Sequence, residues 1–222
     1  MRLSKKKVLV SALAVSLIAI LSLGTLAWFN ATDTVTNEFK IADSDGDSSP
    51  DFSVDVWEND PTSADPTAKD QDGVTYEHIA PGDVLAKNPT VENTGDYDQW
   101  IRVYVTFDEW AKIEAACDNQ GITKDLRTWL DVDSTAWTAD GNATEIKDNK
   151  VTYVYYYNYK LTADDAANTA VFFNNVSIPG EFEKADMEFT SGNFTISVKA
   201  EALQADNTGD NAKDAFATYW GR

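Results

Sequence analysis

Residues Trp100–Phe107 (WIRVYVTF) place Ile101, Val103, Val105 and Phe107 on every second position. Apolar side chains recurring with a period of two can share one buried surface only in an extended strand. Phe194–Leu203 repeats the pattern, with Phe194, Ile196, Val198 and Ala200 on one face and Thr195, Ser197, Lys199 and Glu201 on the other. One apolar and one polar face suits an antiparallel sheet with a wet side. Phe52, Val54 and Val56 alternate in the same way, and Val84–Val91 reads as extended. Val151–Leu161 (VTYVYYYNYKL) is apolar on both faces and reads as a central strand, with Tyr153, Tyr155, Tyr157 and Tyr159 on one side and Tyr156 on the other. Ala170–Ile178 reads as one more strand, and Val35–Ile41 as the first. Turns are marked by Pro81-Gly82-Asp83, Asn93-Thr94-Gly95-Asp96 and Pro179-Gly180. Between Asp108 and Leu130 the period changes. Trp110, Ile113, Ala116 and Cys117 fall at helical spacing, and Gly121 marks the helix end. Asp214–Trp220 reads as a short C-terminal helix or aromatic plug. The expected fold is mainly β, a jelly-roll-like antiparallel β-sandwich with one or two short helices.

Charge and rare residues narrow the function. The chain of 222 residues carries 18 Lys and Arg against 37 Asp and Glu, a net charge of −19. Phosphate neutralisation needs basic patches, so this balance argues against a nucleic-acid partner. One Cys excludes an intramolecular disulfide and a cysteine-based zinc cluster, and one His excludes multi-histidine metal chemistry.

The first 27 residues have the plan of an export signal. Arg2 and Lys5-Lys6-Lys7 form a positive head, and Val8–Leu23 an apolar run interrupted only by serines. Thr25 and Ala27 supply small residues at the two positions that define a cleavage point between Ala27 and Trp28. Removal of the signal discards four positive charges and no negative ones, which leaves the mature chain, 28–222, more acidic still. It is expected to be one domain, secreted to the extracellular or cell-surface matrix. The alternative is retention: Val8–Ala27 is about the 20 residues a membrane helix needs, so any membrane contact is expected only through an uncleaved signal.

Several elements carry a family resemblance. Gly24-Thr25-Leu26-Ala27-Trp28-Phe29-Asn30 resembles the signal junction of the TasA/camelysin family of exported proteins, which bear a SipW-type signal peptide. Asn37-Glu38-Phe39-Lys40-Ile41 resembles the element that opens the family's mature domain. Ile79-Ala80-Pro81-Gly82-Asp83, Pro89–Gly95 with the strand Ile101-Arg102-Val103, and Ser197–Asp206 resemble its later turns and strands in the same order. The resemblance implies a jelly-roll domain, cleavage by a dedicated SipW-like signal peptidase, and a structural, non-enzymatic role in biofilm matrix fibres. There the mature N-terminal strand is donated to a neighbouring subunit, and self-association or a matrix partner protein is implied. In this chain the candidate donor is 28–41, with Trp28, Phe29, Val35, Phe39 and Ile41 as its apolar knobs. Such donation is strand addition to a sheet, and head-to-tail donation does not close on itself. The plainer possibility is that this segment completes its own sheet.

Three other chemistries are weighed against that one. Asp43-Ser44-Asp45-Gly46-Asp47-Ser48-Ser49-Pro50-Asp51 supplies carboxylates at alternate positions, a donor set for calcium through Asp43, Asp45, Asp47 and Asp51. Its glycine falls at the fourth loop position rather than the sixth of an EF-hand, and a solvated acidic hairpin loop is the plainer reading. Some relatives have been described as metallo-endopeptidases. A catalytic zinc usually takes three protein ligands, whereas here His78 stands alone beside Glu77. Cys117 reads as a small buried hydrophobe rather than a nucleophile. Finally, the tyrosine stripe could stack on sugars in a monomeric surface or carbohydrate-binding module, but two-faced apolarity favours burial.

Overall fold

The computed structural model describes residues 30–35, 52–59, 69–70, 76, 79–164, 166–191 and 194–219. The chain divides into two compact units, Met1–Asn30 and Ala31–Arg222. Among the described residues, the strands and helices belong to the second, apart from Asn30, which opens β1 (Asn30–Val35).

The fold is mainly β. A five-stranded sheet has the order β1 (Asn30–Val35), β11 (Ile196–Gln204), β6 (Gln99–Phe107), β8 (Lys150–Tyr157), β7 (Trp137–Lys147). Its β11–β6, β6–β8 and β8–β7 pairs are antiparallel. A second layer has the order β3 (Lys69–Asp70), β2 (Val54–Asn59), β5 (Thr90–Asn93), β9 (Thr169–Val171), and a two-stranded ladder joins β10 (Asn175–Ser177) to β4 (Val84–Ala86). The inner faces meet in one core. Val54, Val56 and Val91 come from the second layer; Ile101, Val103, Val105, Phe107, Val151, Tyr153 and Tyr155 come from the first. The alternation of β6 is realised in full, since all four of its inward residues are completely buried.

The two ladders of the second layer are one ladder with a gap. Ala86 faces Asn175 and Thr90 faces Val171, so the register is unchanged across the break. Lys87 N donates to Asn174 O at 3.0 Å, and Phe172 N to Pro89 O at 2.8 Å, in the same register. Pro89 has no N–H to give, and the regular ladder lapses around it. This is why Ala170–Ile178, expected as one strand, is two. The correction comes from a residue on the opposite strand.

Helix α1 (Trp110–Gln120) buries Trp110, Ile113, Ala116 and Cys117, the four residues its spacing predicts, and ends at Gly121 in the left-handed region, φ 65°. Its start is held from outside. Trp110 N donates to Asn149 O at 2.9 Å, and Ala111 N to Asn149 Oδ1 at 2.7 Å. Asn149 sits with Asp148 at the tip of the β7–β8 hairpin, both at positive φ as a two-residue primed turn requires. Strand β7 is an addition to the expected set, and it carries a register shift between Ala139 and Thr144. A 3-10 turn follows α1 at Leu126–Trp129 and another lies at Asp186–Ser191.

Helix α2 (Ala212–Tyr219) lies on the other face of the five-stranded sheet. Asn211 caps it, Oδ1 accepting from Asp214 N at 3.0 Å. Ala212, Ala215 and Phe216 pack on Trp100, Val154, Tyr156, Leu203 and Ala205. That packing overturns one expectation: Glu201, placed on a wet face, is 6% exposed. Strand β8 also stops at Tyr157, so Tyr159 is not part of a tyrosine stripe; it lies beyond the strand, 57% exposed.

The turn at Asn93–Asp96 shows how close the strand ends approach. Gly95 N donates to Asn93 Oδ1 at 3.0 Å, and a Cβ added at Gly95 would lie 2.8 Å from Ser53 N and 3.0 Å from Phe52 Cα. Both are backbone atoms and cannot swing aside. Gly95→Ala is therefore expected to destabilise the fold by about 1–3 kcal/mol, read as a lower urea midpoint with an unchanged slope. An unchanged midpoint would show that the strand ends have room to separate.

Candidate functional site

The candidate site is the β1–β11 edge with the ion cluster that stiffens it. Strand β1 occupies the outermost position of the five-stranded sheet, beside β11. It spans Asn30–Val35, earlier in the chain than the first strand expected from sequence at Val35–Ile41, whose residues after Val35 lie outside the described set. Strand β11 is paired along its whole length with β6, from Ile196–Phe107 to Gln204–Gln99. One edge of β11 is thus fixed to the sheet and the other carries the N-terminal segment.

In this ladder Glu201 faces Arg102 directly. Both are buried, at 6% exposure each. Arg102 donates to Glu201 Oε2 twice, from Nε at 3.0 Å and Nη2 at 2.6 Å. Tyr104 Oη donates to the same oxygen at 3.0 Å, and Lys199 Nζ donates to Oε1 at 2.8 Å. The Arg102 guanidinium lies 4.4 Å from the Phe216 ring centroid and 5.3 Å from that of Tyr104. Glu201 therefore has both oxygens satisfied, and Arg102 is roofed by α2. A buried ion pair is tolerable only with such complete pairing.

The charges are set by this cage. Burial works against ionisation of Glu201, but hydrogen bonds from Lys199 and Arg102 and their positive charge outweigh it and hold the carboxyl below its usual range. Burial, then the Glu201 charge, pushes the Tyr104 hydroxyl well up, so it stays a proton donor. The Arg102 guanidinium is raised as well: burial opposes it, and the Glu201 hydrogen bond prevails. The cluster can hold β6 and β11 in register; it presents no activated nucleophile.

The sequence-predicted site residues are distributed as follows. Val35 ends β1. Ala27, Trp28, Phe29, Phe39, Ile41, Asp43, Asp45, Asp47, Asp51, Glu77 and His78 lie outside the described residues. Among the described residues, no group of three or more His, Cys, Asp or Glu is placed to hold a metal ion. Cys117 is fully buried, and burial, then Asp118, raises its thiol, as befits a core side chain. Tyr153, Tyr155 and Tyr156 are buried. Tyr153 Oη accepts from Leu126 N at 3.1 Å, and burial pushes the Tyr155 hydroxyl up to about 12. These tyrosines form core rather than a sugar platform. A cleft of about 360 Å³ beside Trp129 and Ile178 has Glu181 as its single titratable lining residue among the described residues.

The Arg102–Glu201 pair escaped the sequence reading. Its signal is the need of the Ala212–Ala215–Phe216 face for an apolar partner, which the outward row Trp100, Tyr156 and Leu203 supplies. Comparison with protein-family models, with curated proteins and with solved structures finds no match for this chain.

Proposed function

We propose that this chain is an exported, non-enzymatic structural protein of the extracellular matrix, and that it assembles by passing its N-terminal strand to a neighbouring copy. The observation that carries the reading is the position of β1 at the margin of the five-stranded sheet, beside β11. A marginal strand at the N-terminal end of the folded unit can leave its place without dismantling the sheet behind it. The vacated edge of β11 is then a template for the same segment from another copy. Adjacency of the first and last strands also supports the jelly-roll-like arrangement that the family resemblance implies. On this reading export uses a SipW-like signal peptidase, and the Asp43–Asp51 stretch between β1 and β2 is where calcium would act.

The test is negative-stain electron microscopy of protein beginning at Trp28, beside protein beginning at Asp51, each with and without millimolar calcium. Filaments are expected from the longer form and none from the shorter. A full-length variant, Asp33→Pro with Thr34→Pro, guards against misreading a truncation that fails to fold. Two consecutive prolines remove an N–H from whichever of the pair faces the adjoining strand. This variant should keep the far-ultraviolet circular dichroism of a folded sheet and lose the filaments. Monodisperse particles from the Trp28 form in every condition would overturn self-assembly and favour a monomeric surface module.

A further inference from the structure

A second buried ion pair differs from the first in a way that matters chemically. Strand β2 turns Val54, Val56 and Glu58 inward, and Glu58 is completely buried. Lys87, in the interruption between β4 and β5, is 8% exposed, and its backbone N–H is tied to Asn174 O. Lys87 Nζ donates to Glu58 Oε1. The other oxygen, Glu58 Oε2, is buried and has no hydrogen-bond partner among the described residues. Glu201, by contrast, has both oxygens occupied. A buried carboxylate with an orphaned oxygen is an expensive arrangement for an ion pair.

We propose that Lys87 and Glu58 form an intramolecular amide cross-link. An amide made from these two side chains carries neither charge and has one oxygen fewer, so it removes both the buried ions and the orphaned atom. A nitrogen hydrogen-bonded to one carboxylate oxygen lies within roughly 3.5 Å of the carboxyl carbon, the near-attack range. A proton passes from the Lys87 ammonium to the Glu58 carboxylate along their hydrogen bond. The freed amine attacks Cδ, forming a C–N bond. The oxyanion this leaves on Oε2 takes the proton released by the nitrogen, and the Cδ–Oε2 bond breaks as the Oε1 proton passes to it, so that Oε2 leaves as one water and Oε1 remains as the amide oxygen. No oxidant, reductant or other reagent is consumed. Tyr76 stands beside the pair: its hydroxyl donates to Ala86 O, and burial, then the Glu58 charge, pushes it up to about 12, so it remains protonated there. The link would tie β2 to the segment joining β4 and β5, at the place where Pro89 interrupts the ladder.

Mass spectrometry of the purified full chain decides the question, and its outcome does not depend on whether filaments form. The intact mass is expected to fall short of the sequence, counted from the N-terminus found in the same sample, by one water. After denaturation, trypsin should leave the Lys87–Asn88 bond uncut, and fragmentation should place residues 58 and 87 in one branched peptide. Glu58→Ala and Lys87→Arg should each restore the full sequence mass and an unbranched map. A wild-type chain of full sequence mass, cleaved after Lys87, would overturn the proposal and leave the pair as an ion pair.

Discussion

Arg102→Ala is expected to lower the unfolding free energy by about 3 kcal/mol, the low end of what loss of one partner from a buried pair costs. The low end applies because Glu201 would keep Tyr104 and Lys199. Arg102→Lys should recover little, since an ammonium cannot make the two-point contact or lie flat on Phe216. The loss should shrink with acid. Glu201 has a folded pKa below its unfolded one, so its contribution is present in full above about 4.3, the ordinary glutamate value, and is lost as pH falls through the lower folded value. Urea unfolding of both proteins at neutral pH and near pH 3 measures this. A difference between wild type and variant that did not narrow at low pH would show that Arg102 acts through packing on Phe216 rather than through the Glu201 charge.

Trp137→Ala is expected to cost about 3–5 kcal/mol, the range for emptying a large aromatic site. Trp137 is 2% exposed and joins the two layers. Its ring lies 4.9 Å from that of Tyr157 on its own sheet and 5.0 Å from that of Phe172 between β9 and β10. Its Nε1 donates to Val171 O at 2.8 Å. Alanine would open a cavity and leave that carbonyl without its donor. Trp137→Phe keeps most of the ring but not the N–H, and should cost about 1–2 kcal/mol, chiefly the hydrogen bond. Chemical denaturation of the pair separates the two contributions. Equal losses in both variants would mean that the hydrogen bond, not the ring, holds the layers together here.

Much of the fold was legible where the controlling interactions are local. Strand β6 could be read because its four inward residues alternate without exception, and α1 because Trp110, Ile113, Ala116 and Cys117 follow the helical period up to Gly121. The Pro81-Gly82 turn was equally plain: Gly82 has φ 84°, and Asp83 N donates to Ala80 O at 3.1 Å. Strand β7 was not legible. Its middle, Thr138–Thr144, is polar and glycine-containing, and reads as a loop. It is a strand because Asp148 and Asn149 turn the chain back onto β8. Of the candidate site, the sequence offered 28–41 as a candidate donor segment, of which 30–35 is described and forms β1, but β11 as the neighbour of β1 was not legible.

The sequence by itself determined the class of fold, the turn positions, the amphipathic helix and the exclusion of chemistries that need several histidines or cysteines. These follow from spacing and composition, which operate within a few residues. Only the tertiary structure decided which charges are buried. Glu201 and Glu58 each occupy an unremarkable place in an alternating strand, and no local rule distinguishes them from a solvated glutamate. Glu201 is buried because α2, more than ten residues later, closes over it, and Glu58 because Lys87, from the segment between β4 and β5, meets it in the core. The break between β9 and β10 has the same origin, in a proline on the strand opposite. Burial and pairing of charge depend on what the rest of the chain brings to a site, and that is known only once the chain has folded.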